Sequence, residues 1–216
     1  MSLSLVVGNK NYSSWSLRAW LAMRQAGLDF DEIRIKLDQP DTNASILVHT
    51  PSGRVPCLLD GDITVWDSLA ICEYVNETYL DGALWPRSRE ARAHARALVA
   101  EMHSGFMPLR SHMSMDIRSR LPDKGRAALA RADVAADVAR IQAMWAGCLQ
   151  RFGGPLLFGT FSIADAFFAP VVTRFATYAV PLSAPLMSYA NAVMALPAMQ
   201  QWVAAAHAEP EVLYDH

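Results

Sequence analysis

The chain has 216 residues, of which 52% are hydrophobic and 19% charged, and its formal net charge is −2 at pH 7. This composition is typical of a globular protein with one large domain or two small ones. The slight negative charge argues against nucleic acid as a partner, because binding phosphates requires a surplus of basic residues. We find neither an apolar run of the roughly 18–20 residues that span a membrane nor an export signal, so no membrane partner is expected.

The three cysteines, Cys57, Cys72 and Cys148, are far apart in the chain and odd in number. Neither they nor the six histidines have a spacing typical of a metal site, and we expect no metal. Free thiols in a chain without an export signal favour a reducing compartment. The sequence therefore predicts a cytoplasmic protein.

The first eighty residues alternate strand-like and helix-like patterns. In chain order they predict a strand over 3–8, a helix over 14–27, a strand over 30–37, a loop with a possible short helix over 38–50, two short strands within 55–67 and a helix over 68–80. Asp60-Gly61 is a strong hairpin signal between the last two strands. The predicted order is βαβ, then a loop, then ββα.

From residue 88 onward the patterns are those of helices alone. The predicted helical stretches are 88–118, with a break or bend at Gly105 and Pro108, then 125–152, 162–179, 185–196 and 197–208. We therefore predict an α/β domain over 1–81, a linker over 82–87 and an all-helical domain over 88–216.

Ser13, Ser14 and Ser16 stand where a loop turns into an apolar, helix-prone run, in the stretch NKNYSSWSLRAWLAM. A serine in this position is typically an N-cap, whose oxygen accepts from a backbone N–H two or three residues on. A helix N-terminus also carries partial positive charge and can hold an anionic ligand atom. Three hydroxyls are more than one cap requires, so both roles are compatible with the motif.

Two further motifs are ambiguous in the same way. Pro56 can mark the start of a strand, or it can form a cis peptide that turns the backbone N–H and C=O of Val55 towards a ligand. Asp67 and Ser68 can cap the following helix. Alternatively, Ser68 can hold a carboxylate while Asp67 accepts from an ammonium group, which together suit the α-amino acid end of a ligand.

The order of these three motifs, followed by a helical half, resembles that of the glutathione transferases over essentially the whole chain. The resemblance implies a thioredoxin-like N-terminal domain. The stretch SSWSLRAWLAM is most similar to the zeta-class motif Ser-Ser-Cys-Ser-x-Arg, with Trp15 in place of the cysteine. The stretch SIADAFFAPV is similar to the capping box of the helical domain, and we interpret Ser162 and Asp165 as folding residues.

The resemblance implies glutathione as co-substrate and gives the motif residues their roles. The first serine of the pair, Ser13, is the one usually assigned to the thiol, with Ser14 a close second. Val55 would pair with the cysteinyl backbone of glutathione, in a geometry held by Pro56. Its γ-glutamyl end would lie at Asp67 and Ser68. The family also implies a homodimer.

The electrophile is expected between the thiol and the helical domain. Met107, Arg110 and Met113 are candidates for its pocket, with Arg110 able to meet an anionic substrate; equally, Met107 can be a packing residue and Arg110 a solvated one. Trp15 can wall the thiol site. Arg18, one turn into the first helix, is expected to be a structural ion-pair partner.

Three functions remain open at this point. The first is a glutathione transferase that presents the thiolate to a small electrophile. The second is a glutathione-dependent cis-trans isomerase of the maleylacetoacetate isomerase type, although Trp15 fills space that this chemistry needs. The third is a non-catalytic interaction protein with the same fold. None of the cysteines occupies a serine position of the motif, which speaks against a cysteine-based thiol transferase.

Overall fold

The computed structural model describes residues 3–213. Its strands are β1 (Leu3–Val7), β2 (Asp31–Arg34), β3 (Cys57–Asp60) and β4 (Ile63–Trp66). Its helices are α1 (Ser14–Gln25), α2 (Thr42–Leu47), α3 (Ser68–Tyr79), α4 (Arg89–Ser104), α5 (Met107–His112), α6 (Pro122–Leu129), α7 (Ala132–Phe152), α8 (Ile163–Thr177), α9 (Ala184–Met194) and α10 (Pro197–Ala208).

The four strands form one mixed sheet in the order β2-β1-β3-β4. Strand β1 is parallel to β2, to which it is connected through α1, and antiparallel to β3. Strands β3 and β4 form the predicted hairpin, in which Gly61 has a φ of 58° that favours glycine. This sheet, followed by helices alone, confirms the predicted fold class. Strand β2 is shorter than the pattern over 30–37 suggested.

Helix α1 lies at the centre of the molecule. It packs against α3 of its own half and against α8 and α10 of the helical half. One apolar core therefore runs through both halves, and Trp20, Trp145 and Trp202 are among its largest buried side chains. Because α1 is fixed from both sides, its N-terminus has a defined position at the boundary of the two halves.

The capping box predicted for α8 is confirmed. The carboxylate of Asp165 accepts from the backbone N–H of Ser162 over 2.9 Å and from that of Leu157 over 3.1 Å, and the Ser162 hydroxyl donates to it over 3.1 Å. Burial raises the pKa of the Asp165 carboxyl to about 6. These bonds anchor the start of α8, the helix that brings Arg174 to the boundary.

The helical half differs from the prediction in two places. Residues 113–118, predicted to be helical, lie outside any helix, because α5 ends at His112. The stretch 125–152, predicted as a single helix, is two helices, because Arg131 is extended (φ −81°, ψ 127°) between α6 and α7. Gly125 lies so close to α8 that a Cβ atom would be 1.8 Å from the carbonyl oxygen of Tyr178. The alanine-rich local sequence contains no breaker at this point, so tertiary packing decides the break. The predicted interruption at Gly105 is confirmed between α4 and α5.

Within residues 3–213 no helix combines the length and the apolar character that crossing a membrane requires.

Candidate active site

A cavity of about 980 Å³ opens at the boundary of the two halves. This volume is at the upper end of the range that small-molecule sites occupy. Among its lining residues are Ser13, Ser14, Trp15, Val55, Pro56, Asp67, Ser68 and Arg110. The three motifs, which are dispersed over more than fifty positions of the sequence, therefore meet in one place.

Ser13 is the N-cap of α1. Its Oγ accepts from the backbone N–H of Ser16 over 3.4 Å, and its own hydroxyl donates to Ser16 Oγ over 2.7 Å. Ser16 Oγ in turn accepts from the backbone N–H of Gly8 over 3.1 Å. The proton of the Ser13 hydroxyl is thus engaged inside the loop that joins β1 to α1.

Ser14 has a different set of partners. Its Oγ lies 3.3 Å from Nη2 of Arg174, which donates to it, and both residues line the cavity. The Ser14 oxygen is the acceptor of that bond, so the proton of its hydroxyl is still available for donation. No acceptor among residues 3–213 takes this proton. Both serines are 6% exposed. Ser14 is therefore the serine with a proton to offer a ligand.

The start of α3 provides a second polar group of the cavity. Asp67 caps this helix, and its Oδ1 accepts from the backbone N–H of Leu69 over 2.8 Å. It has a φ of 76°, a costly backbone conformation for a residue other than glycine and one that clusters at functional sites. The hydroxyl of Ser68 is fully buried and has no hydrogen-bond partner in the described part of the chain. A buried unpaired hydroxyl is costly, which favours a ligand that pairs with it.

His103 of α4 approaches the same carboxylate from the helical half. Its Nε2 lies 3.2 Å from Asp67 Oδ2, and its ring contacts the edge of Trp15 at a centroid distance of 5.2 Å. Burial lowers the pKa of His103, Asp67 raises it, and the charges of Arg18 and Arg110 lower it further. The net effect favours the neutral imidazole.

The Val55–Pro56 peptide is cis, the second of the two alternatives for this motif. Both residues line the cavity. Within the described range 3–213, no hydrogen bond uses the backbone N–H or carbonyl of Val55. These two groups are available to an extended peptide ligand.

Two arginines stack on the indole of Trp15. The guanidinium carbons of Arg18 and Arg110 lie 4.4 and 5.0 Å from its ring centre, and that of Arg18 is also 4.8 Å from the ring of Phe167. Arg18 is fully buried and its nitrogens have no hydrogen-bond partner among residues 3–213, so the expected ion pair is wrong. Burial lowers the pKa of Arg18, and the charges of Arg110 and Arg174 add to this.

Arg110 fixes its position through two backbone carbonyls. Its Nε donates to Gly105 over 2.9 Å, and its Nη2 donates to Met102. Its Nη1 is buried without a partner in the described chain, and burial lowers the pKa of the group. With Arg174, it gives the helical side of the cavity a positive charge.

The other two residues proposed for the electrophile pocket lie elsewhere. Met107 is 61% exposed at the start of α5, and Met113 is fully buried in the core; neither lines the cavity. The left-handed Phe106 (φ 63°) begins α5, while Met113 packs inward and its carbonyl accepts from Arg174. Ser114 and Met115 line the cavity at this point instead.

Sequence reasoning missed Arg174, which lies on α8 with no motif around it. Its neighbours are apolar, so the one local signal was an arginine within a helix whose other residues pack into the core. Such an arginine needs polar partners, and it finds them in Ser14 and in the carbonyl of Met113.

The cysteines take no part in this site. Burial raises the pKa of Cys57, of Cys72 and, to about 12, of Cys148. Their thiols are therefore protonated at neutral pH and poor nucleophiles. Within residues 3–213 no group of His, Cys, Asp or Glu side chains is arranged to hold a metal ion.

Comparison with known proteins identifies the family of the chain. Residues 12–78 match the family model of the glutathione S-transferase N-terminal domain, and residues 92–205 match that of the C-terminal domain. The chain therefore belongs to the glutathione S-transferase family.

The chain is similar to several individual proteins. The chain is 33% identical over 122 residues to glutathione S-transferase Z2 of Arabidopsis thaliana, a match over 53% of this chain and 52% of that protein. It thus spans about half the length of that relative. It is 28% identical over 193 residues to maleylacetoacetate isomerase of Rattus norvegicus, covering 87% of this chain and 85% of that one. The structure of a glutathione transferase homolog from Burkholderia GL BGR1, with bound glutathione, superimposes with a TM-score of 0.72 and 25% identity, covering 97% of this chain and all of that one.

Proposed function

We propose that the protein is a glutathione transferase that binds glutathione in the cavity and presents its thiolate to a small electrophile. The observation that carries the proposal is the convergence of three complementary groups. These are the Ser14 hydroxyl with a proton to donate, the free backbone of Val55, and the Asp67–Ser68 pair with its unpaired buried hydroxyl. Family membership supports the same ligand.

The three groups match the γ-glutamyl end, the cysteinyl backbone and the thiol of glutathione. The ammonium and carboxylate of the γ-glutamyl residue suit Asp67 and Ser68. The cysteinyl backbone suits the N–H and carbonyl of Val55, with Pro56 beside them. The thiol then lies towards the N-terminus of α1, where the partial positive charge of the helix favours an anion.

We propose Ser14, and not Ser13, as the donor to the sulfur. Ser13 already donates to Ser16, whereas Ser14 accepts from Arg174 and has its proton free for a ligand. A free thiol with a pKa near 8.5 is only a few per cent thiolate at neutral pH. Lowering this pKa by about two units makes most of it thiolate, which corresponds to roughly 2.7 kcal/mol. A hydroxyl, a nearby guanidinium and a helix N-terminus together are sufficient for that shift.

The transferase reaction then needs no covalent bond to the protein. The thiolate attacks an electrophilic carbon, a sulfur–carbon bond forms, and in a substitution the leaving group departs with the bonding electron pair. The protein contributes proximity and thiolate stabilisation. Trp15 forms one wall of the site beside the sulfur.

A second candidate is cis-trans isomerisation of an anionic alkene. Arg110 and Arg174 on the helical side suit a carboxylate, and a relative covering most of the chain is a maleylacetoacetate isomerase. Here the thiolate adds to an alkene carbon conjugated with a carbonyl, and the electron pair moves to the carbonyl oxygen. Rotation about the resulting single bond and expulsion of the thiolate complete the reaction.

We further propose a homodimer that works in the cytoplasm. Strand β4 is an edge strand, and large apolar side chains are exposed on and around the α/β half: Leu47, Val48, Ile63, Trp66 and Tyr79. The free cysteines suit a reducing compartment. Sedimentation equilibrium tests the assembly: twice the chain mass is expected, and an active monomer at assay concentration overturns it.

Calorimetric titration with glutathione tests the main proposal. We expect saturable binding in the micromolar to millimolar range and consumption of glutathione with a chlorinated dinitrobenzene. Turnover of a cis-alkenoic acid, with glutathione regenerated, would select the isomerase. No binding by the folded protein would overturn both, leaving the interaction protein as the remaining function.

A further inference from the structure

Residues 9–12, in the loop that joins β1 to α1, are held by the C-terminal half of the chain. Ser13 and Ser14 follow them directly. All four backbone polar groups of Lys10 and Asn11 bond to residues more than one hundred positions away. A loop at the surface usually bonds to itself or to water, so this arrangement requires a reason.

Glu209, just beyond α10, supplies the acceptors for both amides. Its Oε1 accepts from the backbone N–H of Lys10 over 2.7 Å, and its Oε2 accepts from that of Asn11 over 3.1 Å. The side chain is 6% exposed and also lies 3.3 Å from Nη1 of Arg34. A buried carboxylate with two charge-assisted bonds fixes two consecutive peptide groups in direction as well as in place.

The two carbonyls of the same loop segment are fixed as well. The indole Nε1 of Trp202 donates to the carbonyl of Lys10 over 2.9 Å. The backbone N–H of Ile117 donates to the carbonyl of Asn11 over 3.4 Å, and the Asn11 side chain donates to Asp116 over 2.6 Å.

Arg118 ties the residues after α10 to the same place. Its Nη1 donates to the carbonyl of Glu209, and its Nη2 donates to that of Glu211 over 2.5 Å and to the Tyr12 hydroxyl over 3.1 Å. The side chain of Glu211 shares Arg34 with Glu209 and also pairs with Lys36. Within residues 3–213 it makes no hydrogen bond or ion pair with the loop. The two glutamates are thus close in sequence but differ in what they hold.

We propose that Glu209 is a positioning residue for the thiol site: by holding the Lys10 and Asn11 amides it sets where the Ser14 hydroxyl points. This inference rests on the proposed function. The Ser14 hydroxyl must be placed accurately relative to the sulfur, because a displacement of about 1 Å at a reacting group costs up to about a hundredfold in rate. Glu209 does not line the cavity, so it acts through the loop.

The test compares Glu209→Ala and Glu209→Gln with the matched control Glu211→Ala. The alanine variant leaves both amides without an acceptor, whereas the glutamine variant keeps one carbonyl oxygen for them. For each, the ultraviolet absorbance of bound thiolate is followed across pH, together with the pH profile of kcat/KM.

In Glu209→Ala we expect the pKa of bound glutathione to rise by about one unit, which is about tenfold less thiolate below the pKa. The loss of kcat/KM should be about tenfold at low pH and should recover at high pH. Glu209→Gln should give a smaller rise, and Glu211→Ala should match the wild type. A purely structural glutamate would lower the melting temperature without moving this pKa.

A thiol pKa in both Glu209 variants equal to that in Glu211→Ala overturns the positioning role while leaving the transferase proposal intact. If Glu209→Ala does not fold, the shift in Glu209→Gln carries the test. A wild-type protein that neither binds glutathione nor lowers its thiol pKa overturns the proposed function itself, before any variant is measured.

Discussion

Arg174 and Ser14 are 160 positions apart in the sequence, yet Nη2 of Arg174 donates to Ser14 Oγ over 3.3 Å. The contact joins α8 of the helical half to the first residue of α1. It orients the serine oxygen as an acceptor and places a positive charge beside the predicted thiolate. The helical half is therefore part of the proposed thiol site and not only of the electrophile pocket.

Replacing Arg174 should weaken the thiolate without abolishing binding. In Arg174→Met we expect the pKa of bound glutathione to rise by about one unit, because a nearby cation favours the charged form. Arg174→Lys, which keeps the charge, should restore part of the shift. The pH profile of kcat/KM reports the thiol pKa in both variants. Equal profiles for Arg174→Met and the wild type would contradict a role of Arg174 in stabilising the thiolate.

Replacing Asp67 should weaken glutathione binding and leave the thiol pKa unchanged. Asparagine is as good an N-cap as aspartate, so Asp67→Asn should keep α3 intact. If the Asp67 carboxylate pairs with the γ-glutamyl ammonium as proposed, its loss should weaken glutathione binding by about tenfold, as expected for a charge-assisted bond. Calorimetry measures the affinity.

A truncated ligand provides the control for Asp67. Cysteinylglycine lacks the γ-glutamyl residue, so wild type and Asp67→Asn should bind it equally. A tenfold difference that persists with cysteinylglycine would mean that Asp67 acts elsewhere in the site.

The half-buried imidazole of His103 predicts a pH dependence of stability. Because the pKa of His103 is lowered in the folded state, the unfolded chain binds the proton more readily. The free energy of unfolding should therefore fall as the pH drops below the unfolded value of about 6.5 and through the lower folded value. In His103→Gln this part of the slope should disappear, which urea unfolding at several pH values can measure.

An exposed histidine serves as the comparison for that experiment. His112, at the end of α5, is exposed, and His112→Gln should keep the wild-type slope. If the slope of His103→Gln equals that of the wild type, the buried position of His103 has no energetic consequence.

Arg110 should distinguish electrophiles by their charge. Its Nη1 lies buried and unpartnered on the helical side, in the part of the chain that the structure describes. Arg110→Met should lower kcat/KM about tenfold for an electrophile that carries a carboxylate, since one charge-assisted bond is lost. For a neutral chlorinated dinitrobenzene the value should be nearly unchanged. An equal loss for both substrates would indicate a structural role, through the carbonyls of Met102 and Gly105.

The residues that line the α/β side of the cavity could be predicted because they lie in short local motifs. The serines precede an amphipathic helix, Val55-Pro56 precedes a strand, and Asp67-Ser68 opens a helix, so each position follows from its own neighbours in sequence. The helical side could not be predicted in the same way. Arg174 reaches the cavity through the packing of α8 against α1, and Glu209 reaches the loop before α1 from beyond α10. No local pattern specifies such contacts.

The same difference between local motifs and tertiary packing explains where the structure departs from the sequence predictions. Met107 and Met113 flank Arg110 in sequence, but a left-handed residue at Phe106 and the packing of Met113 separate their directions. The break between α6 and α7 falls at Arg131, whose extended backbone no local breaker residue predicts.

The measurement that tests the central claim most directly is the pH titration of bound thiolate in wild type, Ser14→Ala and Ser13→Ala. We predict that the thiol pKa rises towards its free value near 8.5 in Ser14→Ala. Ser13→Ala removes the N-cap of α1, so the free energy of unfolding should fall by about 1 kcal/mol. The thiol pKa should stay unchanged. A rise in Ser13→Ala with none in Ser14→Ala would contradict the account and return the thiol to the first serine of the motif.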